Sequence, residues 1–123
     1  MKTYRPTGKR TYIPMNSTGN VAIGGSQDIV VLPQLQLRPD RLVIDATTGA
    51  LFSVSAIKIG VVPQAAAGGA VSALLFAPNQ TASDMALDIA NSATQVTLSV
   101  NNTDTVAHAF SGALFGDEVE EAA

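Results

Sequence analysis

Residues 51–62 read LFSVSAIKIGVV, and they set the class of the fold. Phe52, Val54 and Ala56 lie on even positions, whereas Ile57, Ile59 and Val61 lie on odd ones. Each triplet alternates with a period of two, the spacing of a strand with one face buried. The change of parity between Ala56 and Ile57 is what one inserted residue does to a strand, so a β-bulge is predicted there. Lys58 then faces away from the side that Ile57 and Ile59 occupy. Pro63 ends the element, because it cannot donate to a ladder.

Upstream, Leu42 and Ile44 alternate with Arg41, Val43 and Asp45 as a second short strand. It is closed by Thr47-Thr48-Gly49 and opened by an Arg38-Pro39-Asp40 turn. Ile29, Val31, Leu35 and Leu37 share one parity, and Pro33 interrupts them, which predicts an edge or bulged strand. Val21 and Ile23 lead into a turn at Gly24-Gly25-Ser26.

Downstream, the Ala/Gly-rich segment Gln64 to Ala70 reads as a loop, and the nearly continuous apolar run Val71–Ala77 as a fully buried strand. Pro78-Asn79-Gln80 stops that run. Ser83–Asn91 supports two readings: Met85, Leu87 and Ile89 alternate as a strand, and Ser83 is placed to cap a short helix. The strand is preferred because its neighbours are strands. Val96, Leu98 and Val100 alternate with Thr97 and Ser99 before an Asn101-Asn102-Thr103-Asp104 turn. Val106–Ser111 and Ala113–Phe115 complete the series, with Gly112 and Gly116 as breaks. About eight short strands at spacings of roughly 8–12 residues are the pattern of a sandwich or barrel. The reading is an all-β, antiparallel β-sandwich over residues 20–116, wound like a jelly roll.

The flanks differ from this body. Residues 1–19, MKTYRPTGKRTYIPMNSTG, have no sustained apolar period, and Pro6 and Pro14 oppose helix, so an extended N-terminal arm is predicted. Lys2, Arg5, Lys9 and Arg10 make the arm basic, while Asp117, Glu118, Glu120 and Glu121 make the C-terminal tail, 117–123, acidic. Opposite tails of this kind either mate between subunits or stay solvated, and the sequence leaves both open. Tyr4, Tyr12, Ile13 and Met15 are the arm residues suited to pinning it to a surface. These arm and tail residues are the candidate assembly site.

The composition explains why assembly is expected. The chain has 123 residues, enough for one domain. Charged residues are 14%, well under the roughly 25% usual for soluble domains. Hydrophobic residues reach 46%, but only 5% of the chain is aromatic, with no Trp, and much of the apolar fraction is Ala and Val. A surface this poor in charge is expected to be covered by neighbouring subunits. The net charge of −3 argues against a general nucleic-acid binder, leaving the basic arm as the one plausible phosphate contact. No apolar run approaches the roughly 20 residues of a membrane span. No hydrophobic stretch follows the basic N-terminus, so assembly in a cytoplasm is expected.

Chemistry is thinly supplied. His108 is the single histidine and sits in AHAF without a nucleophile-elbow motif. One His and no Cys cannot build a zinc site, and Asp40, Asp45, Asp84 and Asp88 lack calcium-loop spacing. Gly8-Lys9-Arg10 lacks the rest of a phosphate loop, and Gly24-Gly25 and Gly68-Gly69 read as turns. No enzyme, cofactor or metal is expected.

The runs Arg38–Ile44 (RPDRLVI) and Phe52–Gly60 (FSVSAIKIG), with Val96–Asn102 (VTLSVNN) and Phe110–Gly116 (FSGALFG), resemble those of small bacteriophage virion proteins. The resemblance spans roughly residues 38–116 and rests on strand pattern. It implies a capsid or capsid-decorating subunit with a jelly-roll-like sandwich, no active site, a homo-oligomeric state, other capsid proteins as partners and the virion as location. The alternative is a receptor- or glycan-binding sandwich at a particle surface.

Overall fold

The computed structural model describes residues 3–65, 68–79, 85–91 and 94–122. Among the described residues eight strands form two antiparallel sheets: β1 (Tyr4–Val21), β2 (Ser26–Val31), β3 (Leu37–Ile44), β4 (Phe52–Ile59), β5 (Val62–Pro63), β6 (Val71–Ser72), β7 (Val96–Asn102) and β8 (His108–Glu121). One sheet has the order β1-β8-β3; the other has the order β2-β7-β4-β5, with β6 also on β4. The protein is an all-β sandwich.

The strand at 52–59 behaves as its parity requires. Phe52 and Val54 are buried, the register against β7 slips between Val54 and Ala56, and Ile57 and Ile59 are buried beyond the slip. The bulge therefore sits at Ser55, slightly before its predicted place, and Lys58 is exposed. In β7 the alternation is unbroken: Val96, Leu98, Val100 and Asn102 all point inward. The other sheet meets this face with Met15, Leu42, Ile44, Phe110 and Leu114. Phe52 of β4 and Phe110 of β8 meet edge-to-face, with centroids 5.2 Å apart and rings at 79°, and so tie the two layers together.

The pairing is nested. β1 lies on β8, β2 on β7, and β4 on β5, while β3 and β4 join the inner sides of β8 and β7. Between β5 and β7 the chain returns beside β3: Met85 N donates to Asp40 O, Leu87 N to Pro39 O, and Leu37 and Ala90 exchange two bonds of 2.8–2.9 Å.

Four local expectations are corrected. Arg38-Pro39-Asp40 is not a turn but part of β3, where a register shift between Pro39 and Arg41 absorbs the missing donor. Ile29–Leu37 is two strands, β2 and β3, separated by Leu32–Gln36. Val71–Ala77 is strand only at Val71–Ser72. Ser72 Oγ then accepts from Leu74 N and starts a 3₁₀ turn, Ala73–Phe76, with Ala73 and Phe76 buried. Met85–Asn91 runs beside β3 with a single bridge rather than as a regular strand; the Ser83 cap lies outside the described residues.

The domain boundaries change most. Residues 4–21 are not an extended arm outside the sandwich: they form β1, paired with β8 on either side of register shifts at 7–9 and 17–19. Residues 117–121 are not a tail beyond the sandwich but the end of β8, which runs through Gly112 and Gly116 without a break. Those glycines permit close approach to β3. A Cβ on Gly116 would fall on Arg38 O and lie 2.6 Å from Pro39 Cα.

Candidate assembly surface

Strand pairing places most of the arm and tail residues opposite one another within a single chain. Tyr4 lies across from Glu121, and Arg5 Nε donates to Glu120 Oε1 at 2.9 Å. Arg10 grips Asp40 with two bonds of 2.6 and 3.1 Å and reaches Asp117 at 3.2 Å. Those hydrogen bonds, first from Asp40 and then from Asp117, hold the guanidinium well above its ordinary pKa. The Tyr12 ring leans on Phe115 at a centroid distance of 5.6 Å. Ile13 and Met15 are buried in the chain's own core.

Arg5 and Arg10 thus mate with acidic residues of the same chain, a third arrangement beside the two the sequence left open, mating between subunits and solvation. Lys9 is exposed in the register shift between Pro6 and Arg10, and Glu118 is half-buried across from Leu37. Lys2 lies outside the described residues. No sequence pattern links Asp40 to Arg10: the two lie on different strands 30 residues apart, and only the fold brings them together.

Comparisons with family models, curated proteins and solved structures return no match.

One end of the sandwich carries a network of polar side chains bonded to loop backbone. Asn102, only 2% exposed, donates from Nδ2 to Val21 O (3.0 Å) and Val106 O (2.9 Å) and accepts from Asp104 N (2.8 Å). It joins the β1–β2 turn to the β7–β8 loop. His108 Nε2 closes on Asp104 Oδ2 at 2.6 Å across the same loop. The hydrogen bond from His108 holds the Asp104 carboxyl below the usual carboxylate range, helped by the Thr105 backbone. His108 is thus half-buried and locked to a turn. Asp88 pairs with Gln64, and Asp84 lies outside the described residues. Among the described residues no three His, Asp or Glu side chains gather as a metal cluster.

Among the described residues, the exposed large apolar side chains other than Val30 of β2 fall into three areas. Tyr12, Leu32, Leu35, Val61 and Val62 are exposed near one end, Ile23 and Val106 at the other, and Val71, Leu74 and Leu75 around the 3₁₀ turn. Tyr12, Pro14, Leu32, Pro33 and Leu35 line a groove of about 310 Å³ between β1 and the β2–β3 connection. Both sheets also have free edges. β1 is guarded by Pro6, Pro14 and Lys9, whereas β2 has no proline. Among the described residues no helix is long and apolar enough to cross a membrane.

Proposed function

We propose that this chain is a structural subunit of a virus particle, of the bacteriophage kind, that self-assembles or decorates and cements a capsid. The observation that carries the reading is the spread of exposed large apolar side chains over both ends and one flank of so small a sandwich. A single patch suits one partner; several patches facing different directions suit a subunit with neighbours on several sides. The low charge content of 14% fits the same picture.

The strand order supports it. Outer pair β1–β8, next pair β2–β7, then β3 with residues 85–90, and innermost β4–β5 follow the winding of a jelly roll, an architecture used by capsid proteins and lectins. With the arm and tail used inside the subunit, the contacts between copies fall to the apolar areas and the β2 edge.

Size-exclusion chromatography with light scattering, followed by electron microscopy of the purified chain, tests the proposal. Ordered rings, sheets or shells are the expected result. A chain that remains monomeric at every concentration reached would overturn it.

A further inference from the structure

Val31 of β2 and Ile59 of β4 both pair with Val96 of β7, so the three strands share one end. The connections 32–36 and Gly60–Val61 leave from this end, and Gly60 N donates to Gln95 O across it at 2.7 Å. Their sequences, LPQLQ and GV, contain no charged residue.

Two features there are unexplained by folding. The first is Val61, 92% exposed at the tip of the β4–β5 hairpin. Gly60, with φ +65°, supplies the left-handed residue of the turn, so the next position accepts a polar residue at no backbone cost. A β-branched apolar side chain held out in water gains nothing for the subunit alone. The second is the groove of Tyr12, Pro14, Leu32 and Leu35, which is open beside the same end.

We infer that this uncharged end docks against the same end of a second copy about a two-fold axis, Val61 of each copy entering the groove of the other. A knob and a groove on one surface make it self-complementary, which is what an isologous contact requires. The charges at its border agree. Lys58 stands one residue inside the rim on the five-stranded sheet, and Glu118 stands opposite Leu37, the first residue of β3, on the other sheet. Neither side chain has an ion-pair partner among the described residues, and in the proposed pair Lys58 of one copy faces Glu118 of the other.

This inference rests on the assembly reading, and the test separates the two. Sedimentation equilibrium is run on the full chain and on Val61→Asp, Leu35→Asp and, at the opposite end, Ile23→Asp, with circular dichroism to check folding. Val61→Asp and Leu35→Asp are expected to raise the dissociation constant of the pair at least about tenfold, while Ile23→Asp leaves it unchanged. Lys58→Glu and Glu118→Lys singly should each weaken the pair about two- to fivefold, and the double variant should restore it. If the wild type assembles and Val61→Asp assembles equally well, the contact lies elsewhere or this end takes a different protein; the inference then fails while the assembly reading survives. If the wild type never associates, both fail.

Discussion

The two ends of the sandwich treat their loops differently. At one end, Asn102 bonds to the β1–β2 turn and the β7–β8 loop, and His108 locks Asp104. At the other, Leu32, Leu35 and Val61 project without charge or polar partner from connections held mainly by backbone. A buried polar side chain that satisfies several backbone groups fixes a loop at a cost of desolvation recovered within the subunit. Exposed apolar side chains recover nothing until something covers them. The first end ties its loops together with polar side chains of the same chain, even though Ile23 and Val106 are exposed there; the second has no such tie at Leu32, Leu35 and Val61, and it is the end that we propose for contact.

That contrast predicts a ranking of substitutions. The largest effect belongs to the body between the ends: Gly116→Ala should lower unfolding free energy by about 3 kcal/mol or more in urea melts, because the added Cβ meets the β3 backbone. Gly112→Ala meets Ile44 Cγ1 and Val43 O at 3.2 Å and should cost less. At the bonded end, Asn102→Ala should cost about 2 kcal/mol, since it leaves Val21 O and Val106 O without a donor.

Next is a pH effect. The folded pKa of Asp104 is depressed, so its stabilisation is present above the unfolded value of about 3.9 and is lost as pH falls through the folded value. Thermal melts should therefore separate wild type from Asp104→Asn near neutrality and converge in strong acid. The smallest effect is at the uncharged end, where Leu32→Ser should change subunit stability by no more than about 0.5 kcal/mol, measured at a dilution where copies are apart. A Leu32 variant that unfolded the subunit would show that this end also serves the fold and would erase the contrast.

The body of the sandwich was legible in the sequence because its strands bury one face. Phe52–Ile59 shows even the bulge as a change of parity, and Val96–Val100 alternates without a break. β1 was hidden because only Ile13, Met15 and Val21 are buried among its 18 residues; backbone bonds to β8 hold the rest, and no side-chain period reports those. Pro39 misled for a related reason. A proline followed by Asp is ordinary turn chemistry, yet here it sits in a strand whose register shifts around it. Gly112 and Gly116 looked like breaks, but they are small because β3 passes close. The candidate site was half legible: the opposite charges were visible, but their pairing inside one chain depends on topology. The uncharged end required knowing that β2, β4 and β7 finish together.

Hydrogen–deuterium exchange as a function of protein concentration tests the central claim most directly, because it reads both ends in one sample. The amides of residues 32–35 and 60–62 should slow as concentration rises, and at lower concentration than those of residues 22–25 and 103–107. Exchange at the uncharged end that stays the same from dilute to concentrated protein would contradict the account.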